Sequence, residues 1–328
     1  MEKIMGYQTL QGTDLTISNV ILGTRDYGWN VPEDQADTLL TAYYDMGGTN
    51  LDTAHIYGRT CPGDRSISEL TIGRWLKRHG IRRDTIFLSS KGCSNVPGIR
   101  SYKRVTPEYL REDFEESLVN LGTDYLDFYF LHKDDESKPV EPMIDALNAL
   151  VKAGKLRAFG ASNWTVERLD QAQRYARESG QLGFAAVQLL YNMAFPNLSL
   201  IDKATDVAIT DRTLRYLVKN QIPYFAYSAL ARGYFHMWNK PEFRIDSRRA
   251  RAVEFYDNSE SRLRARRAEQ LCRETGMSMS EVVLGFVMSR GVQGVPIVEP
   301  GTVNHFEDTF RAANARLTQE QIDFILYS

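Results

Sequence analysis

The sequence predicts an α/β protein: a (β/α)8 TIM barrel with an N-terminal β-hairpin and a long loop after the seventh strand. Three observations lead there. Eight short β-rich runs alternate with helical patterns along the 328 residues. The runs are almost continuously apolar, as strands covered on both faces are. No GxGxxG follows any of them, so the dinucleotide fingerprint of the doubly wound open sheet is missing. Alternating strands and helices allow either architecture, and the count of eight favours the closed barrel.

The elements follow in order. YQTL and DLTIS flank QGT and predict a small hairpin lid over the barrel's bottom. The barrel strands are VILGT (20–24), NLDTA (50–54), TIFLSSK (85–91), YLDFYFLH (125–132), LRAFGAS (156–162), AAVQLLY (185–191), PYFAYSAL (223–230) and VPIV (295–298). Residues 107–121 carry Leu110, Phe114, Leu118 and Leu121 at helical spacing. Thr106 can cap that helix, and Pro107 suits its first position. Residues 205–220 put Leu214, Leu217 and Val218 on one stripe. Ser278 with Glu281, and Thr318 with Gln321, have capping-box spacing. The stretch 231–260 reads as long and irregular, which is uncommon unless functional or mobile. The whole chain, 1–328, reads as a single barrel domain.

Composition sets bounds on partners. The chain is 43% hydrophobic and 25% charged with a net charge of −2, ordinary for a soluble globular protein. That balance predicts neither nucleic-acid nor membrane binding. No apolar run approaches the roughly 20 residues needed to span a bilayer, and MEKIMGYQTLQGTD lacks a signal-peptide core. Cys61, Cys93 and Cys272 form neither a disulfide framework nor a zinc pattern, so the expectation is a cytoplasmic protein without a metal. Cys93, lacking His and Asn or Asp partners, reads as packing rather than a nucleophile.

The active site of such a barrel lies at the C-terminal ends of its strands. There the second strand ends in Asp52 with Tyr57 five residues on, the third in Lys91 and the fourth in His132. These three strands are neighbours, so four polar side chains can converge on one mouth. A phenol with an ordinary pKa of about 10 is a poor acid at neutral pH. A nearby ammonium favours phenolate and is expected to lower that pKa. Asp52 would pair Lys91, and His132 would donate to a carbonyl oxygen. Alone, each residue has a bland reading as a helix cap or a structural ion pair; four on consecutive strands point to proton transfer onto an oxygen gaining negative charge.

NLDTAHIYG, SSKGC, TDYLDFYFLH and LRAFGASNW together resemble the aldo-keto reductases, over nearly the whole chain. The resemblance implies a nicotinamide cofactor, NAD(P)(H), lying across the mouth of a barrel without a Rossmann domain. It implies that Tyr57 is the proton donor or acceptor, tuned by Lys91 and Asp52, with His132 orienting the carbonyl. It assigns Ser162, Asn163 and Gln188 to the carboxamide, and Tyr227 to stacking on the nicotinamide. Ser228 and Leu230 would hold the pyrophosphate, and Gly23 and Thr24 would lie under the cofactor. YSAL stands where YSPL is commoner, and RTCPGDRSISE is longer than the usual link after the tyrosine.

The loop after the eighth strand departs further. Family members usually carry lysine or arginine there to grip a 2′-phosphate, whereas this chain reads EPGTVNHFEDTF. Glu299, Gly301, Thr302 and His305 are the candidate adenosine-side residues, and among them only the imidazole can become positive. A carboxylate repels a 2′-phosphate and can accept from a free 2′-hydroxyl, so the expectation leans to NAD(H). Arg244, Arg248, Arg249 and Arg251, followed by Arg262, Arg264, Arg266 and Arg267, read as a solvated helix face. Alternatively, the first group covers the pyrophosphate or an anionic substrate.

Tyr27, Trp29, His55, Trp164 and Trp238 fall in loops at the mouth's end and are candidate substrate contacts, though aromatic packing explains them equally. The predicted partner is a small carbonyl or alcohol, an aldehyde, ketone or sugar. An oligomer is possible. Two other functions stay open: a cofactor-binding regulatory subunit of the same fold, and a Schiff-base lyase using Lys91.

Overall fold

A computed structural model describes residues 5–59, 65–95, 104–197, 199–200, 206–241, 243 and 250–327. An antiparallel hairpin of β1 (Tyr7–Thr9) and β2 (Thr16–Ser18) opens the chain. Eight parallel strands then close into a barrel. They are β3 (Ile21–Gly23), β4 (Asn50–Asp52), β5 (Phe87–Gly92), β6 (Leu126–Leu131), β7 (Leu156–Ser162), β8 (Ala186–Leu190), β9 (Tyr224–Tyr227) and β10 (Gly294–Val298). All eight fall on the apolar runs of the sequence, most of them trimmed at their ends, with the third and eighth barrel strands reaching one residue further, to Gly92 and back to Gly294. The last strand, β10, pairs with both β9 and β3 and completes the circle.

Helices cover the outside: α1 (Glu33–Asp45), α2 (Ile67–Arg78), α3 (Pro107–Leu121), α4 (Glu141–Lys152), α5 (Val166–Glu178) and α6 (Asp211–Asn220). The expected caps form. Thr106 accepts from the Tyr109 N–H, with Pro107 behind it. The sixth helix begins at Asp211 rather than 205, because Thr210 caps it by accepting from the Thr213 N–H. Residues 201–205 lie outside the described residues.

The stretch after β9 is more ordered than its sequence suggested. It contains α7 (Tyr234–Met237) and α8 (Ala250–Tyr256) and runs into α9 (Ser259–Thr275). Burial explains this: Tyr234, Phe235, Phe243 and Tyr256 form an aromatic cluster against α9 and α10 (Met279–Met288). The Ser278–Glu281 capping box opens α10. The chain ends in α11 (Val303–Arg311) and α12 (Gln319–Tyr327), the latter with reciprocal Thr318 and Gln321 bonds. Arg244, Arg248 and Arg249 lie outside the described residues.

The barrel interior is filled by Phe87, Phe128, Phe130, Phe225, Val295 and Ile297. Leu10, Leu15 and Ile17 of the hairpin pack onto this layer. Gln11 bonds to Gln293 and Gln221, just before β10 and β9. The hairpin therefore closes the N-terminal end of the barrel and leaves the C-terminal end for chemistry. No helix among the described residues is long and apolar enough to cross a membrane.

Candidate active site

Register brings the ionisable side chains together. Asp52 of β4 lies opposite Ser89 of β5, and Lys91 follows two residues later on the same face. Lys91 Nζ donates to Asp52 Oδ2 at 2.5 Å, to the Thr53 carbonyl at 2.7 Å and to the Tyr57 hydroxyl at 3.2 Å. Three acceptors take the three donors of one buried ammonium. The other carboxylate oxygen of Asp52 accepts from Ser89 at 2.8 Å and from Gln188 at 3.0 Å. A lysine this deep would shed its proton unless paired. Burial does pull its pKa down, but Asp52 and Tyr57 outweigh it and the net shift is upward.

Tyr57 sits in a loop pinned on both sides. Its N–H donates to the Ala54 carbonyl, and the His55 N–H to the Lys91 carbonyl. Ser66, the cap of α2, donates to the carbonyls of both Ala54 and Tyr57. The phenol corrects one expectation. Burial raises its pKa, Lys91 opposes this, and the net direction is up, not down. Tyr57 therefore stays protonated through neutral pH and is an acid rather than a phenolate.

His132 meets Tyr57 edge-on, ring centroids 5.9 Å apart. Its Nδ1 is buried without a hydrogen-bond partner among the described residues. Burial lowers its pKa well below the ordinary value, and the positive charges of Lys91, Lys133 and Arg25 lower it further. The imidazole is neutral and can donate a hydrogen bond without carrying charge.

Around this tetrad the remaining candidates fall into groups. Ser162 and Gln188 are paired in register on β7 and β8. Asn163 has a left-handed backbone, φ 60°. Its amide donates to Ser162 Oγ and to the His132 carbonyl, and its oxygen accepts from the Tyr227 hydroxyl at 2.9 Å. Ser228 is also left-handed, φ 56°, and Asn192 fixes its carbonyl. Tyr227, Ser228 and Leu230 are partly buried. Non-glycine residues held in that region are strained, and such strain clusters at functional sites. Thr24 is buried, with its hydroxyl on the Asp52 carbonyl. A methyl on Gly23 would stand 3.0 Å from Ile297 of the barrel interior, so a side chain there presses on the last strand.

Glu299 does not simply point to solvent. Its Oε1 accepts from the Asp26 N–H at 3.0 Å, tying the eighth-strand loop to the first-strand loop. Crowding by protein atoms pushes the carboxyl up to about 7, with Asp26 adding to the shift and Arg25 and Arg232 opposing it. The residue is nonetheless exposed, and water contact tempers that rise. Gly301, Thr302 and His305 are exposed on the same loop and the first turn of α11.

The candidate substrate contacts divide. Trp29 is 47% exposed on the first-strand loop. Tyr27 is fully buried in the core and is not a rim residue; it anchors the loop that carries Trp29. Trp164 is likewise buried, its indole donating to the Lys133 carbonyl and its ring packing on Phe184. Trp238 donates to Glu269 of α9, inside the aromatic cluster. His55 is held by Glu116 at 2.9 Å and Asp113 at 3.4 Å. Of the later basic run, Arg262 and Arg264 are paired with Asp257 and Glu260. Cys93 is buried and its thiol is pushed well up by burial, as packing requires.

Sequence reading missed Ser89, Glu116, Arg59 and Arg25. Ser89 carried a signal, its two-residue spacing from Lys91. Glu116 carried none, because α3 meets the Tyr57 loop only in the fold. A depression lined by Gln8, Gln11, Gln221 and Gln293 lies at the hairpin end, remote from this chemistry.

Known proteins share this chain's pattern. The family model described as Aldo/keto reductase family matches residues 19–325. Similar chains include the "Uncharacterized oxidoreductase YrpG" of Bacillus subtilis, 27% identical over 96% of this chain and 93% of the relative. "Aldo-keto reductase str7" of Strobilurus tenacellus is 27% identical over 90% of this chain and 81% of its own. "Aldo-keto reductase yakc [NADP(+)]" of Schizosaccharomyces pombe is 27% identical over 88% and 81%. The match runs from the first barrel strand to the last helix, and the chain belongs to the aldo-keto reductase family.

Proposed function

We propose that this protein interconverts a carbonyl and an alcohol with a nicotinamide cofactor, and that Tyr57 moves the proton. The observation that carries this reading is the Lys91 ammonium, locked by Asp52 at 2.5 Å and reaching the Tyr57 hydroxyl at 3.2 Å. The residues suit the cofactor. His132 Nδ1 is a buried polar atom in want of a partner, and amide and hydroxyl groups of Ser162, Asn163 and Gln188 gather beside it. Those three would hold the carboxamide, Tyr227 would stack on the ring, and Ser228 and Leu230 would hold the pyrophosphate above Gly23 and Thr24. Bound there, the cofactor supplies or accepts a hydride.

The chain's own residues do the rest. The neutral imidazole of His132 donates to the substrate oxygen and orients it. The Tyr57 hydroxyl hands its proton to that oxygen as negative charge develops, a general-acid contribution of about 10²–10⁴-fold. Lys91 stabilises the phenolate left behind, and Asp52 holds Lys91 in place. In the oxidative direction the same phenolate takes the proton back.

For cofactor choice we favour NAD(H) at least on a par with NADP(H). The eighth-strand loop offers Glu299 and no lysine or arginine between 299 and 305. The NADP(+) in one relative's name supports a nicotinamide in general. Fluorescence titration with NADH and NADPH, followed by turnover of a panel of aldehydes, ketones and sugars, tests both points. Binding of at least one nicotinamide with carbonyl reduction is expected. NADPH binding about tenfold tighter than NADH, which is 1.4 kcal/mol, would reverse the cofactor preference. Absence of any nicotinamide binding would defeat the reading.

A further inference from the structure

We propose that Arg25 anchors an anionic group of the substrate, so that the preferred substrates are carbonyl compounds bearing a carboxylate or phosphate. This deepens the oxidoreductase reading and rests on it. Arg25 directly follows Gly23 and Thr24 at the C-terminal end of β3. Its backbone is fixed on both sides. The Thr24 N–H and hydroxyl both donate to the Asp52 carbonyl, and the Asp26 N–H donates to Glu299. The loop beyond closes on itself through Val31 N–H to Asp26 O and Gly28 N–H to Val31 O. A side chain mounted on so rigid a base is a good recognition element.

The side chain itself is uncommitted. Arg25 is exposed and makes no hydrogen bond or ion pair with another described residue. Neighbouring arginines differ: Arg59 is paired with Glu116, and Arg168 with Asp134. Arg25 nevertheless lies close enough to act electrostatically on Tyr57, His132 and Glu299 together. The chain at Arg25 runs between the strand end that carries Asp52, bonded through Thr24, and the eighth-strand loop, bonded through Asp26.

Charge accounting points the same way. Asp52 is neutralised by Lys91. Glu299 has one oxygen occupied by the Asp26 N–H, and its carboxyl holds its proton more tightly than usual. Asp26, next in the chain, is engaged by the Asn30 amide, and the exposed Arg25 guanidinium is the cation this loop offers to an anion. A guanidinium fork matches the two oxygens of a carboxylate or phosphate, which a hydroxyl or amide of the substrate would not exploit. The competing role is a grip on the cofactor's own pyrophosphate, and the test separates the two.

The full-length protein, Arg25→Ala and Arg25→Lys are compared on two matched pairs of aldehydes. One pair is 4-carboxybenzaldehyde and 4-nitrobenzaldehyde; the other is glyceraldehyde 3-phosphate and glyceraldehyde. Arg25→Ala is expected to lower the charged-to-neutral ratio of kcat/KM by about tenfold or more, as loss of a charge-assisted bond does. The loss is carried by KM, with Arg25→Lys recovering part. A fall in one pair only identifies carboxylate or phosphate as the group recognised. An unchanged ratio in both pairs overturns the proposal. So does a parallel rise in the NADH and NADPH dissociation constants that accounts for the loss, which moves Arg25 to the cofactor. Calorimetric binding of 4-carboxybenzaldehyde to the same proteins separates the two levels. Arg25-dependent binding without turnover of any aldehyde defeats the oxidoreductase reading and keeps the anion site. Turnover of neutral aldehydes with no Arg25 effect defeats the anion site alone.

Discussion

At the residue scale, Tyr57 is held between burial, which keeps its proton on, and Lys91, which pulls it off. Burial wins, so the phenol rests protonated, the form that the proposed reduction needs. Replacing Lys91 with Met removes the opposing charge and pushes the phenol further up. In Lys91→Met, the rise of alcohol oxidation with pH should move to higher pH than in the wild type; an unshifted profile would show that Lys91 does not tune Tyr57. The same substitution strands Asp52 without its partner, at a stability loss of about 3–5 kcal/mol, so activity is read on folded protein. Glu299 gives a second pH signature. Its carboxyl is raised toward about 7, a rise tempered by its exposure, so it gains negative charge as pH rises toward that value. If it faces the adenosine ribose, the ratio of NADPH to NADH dissociation constants increases from about pH 6 to about pH 8, and Glu299→Gln flattens that increase.

The tetrad was legible because each member ends a strand or follows one within a few residues. Arg25, Glu116 and the true settings of Tyr27 and Trp164 were not. Their roles depend on what the fold sets beside them, and an aromatic in a loop reads alike whether it lines a mouth or anchors a turn.

At the scale of elements, the loop bearing Tyr57 is braced from outside the barrel. His55 is gripped by Glu116 and Asp113 of α3, and Arg59 pairs with the same Glu116 while donating to the His55 carbonyl. Glu116→Ala should therefore loosen residues 54–59 and lower kcat more than it weakens cofactor binding, while Glu116→Gln keeps part of the brace. Equal losses in kcat and cofactor affinity would show that the brace serves the whole mouth. Strand packing sets a harder limit. A Cβ on Gly160 would lie 2.3 Å from the Ala186 carbonyl of the neighbouring strand. Gly160→Ala should lose about 1–3 kcal/mol in denaturant unfolding, with Asn163 displaced along the same strand end. The strands were legible from their apolar runs. The helices of the 231–260 stretch were not, because they are stabilised by aromatic contacts between distant residues rather than by helical periodicity.

For the whole molecule, the packed interior and the proposed chemistry occupy opposite ends of one barrel. Phe87, Phe128, Phe130 and Phe225 fill the interior, with the hairpin plugging the bottom, while the tetrad sits above. Phe128 is fully buried and touches three of these rings. Phe128→Ala is expected to cost about 3–5 kcal/mol in denaturant unfolding, and a loss under 1 kcal/mol would mean the interior relaxes around the gap. The central claim concerns the other end, where the buried phenol is proposed to hand a proton to a carbonyl oxygen. The direct measurement is single-turnover hydride transfer in Tyr57→Phe, loaded with the preferred nicotinamide and mixed with a carbonyl substrate. A fall of about 10²–10⁴-fold with cofactor affinity retained is predicted; transfer at the wild-type rate would contradict it.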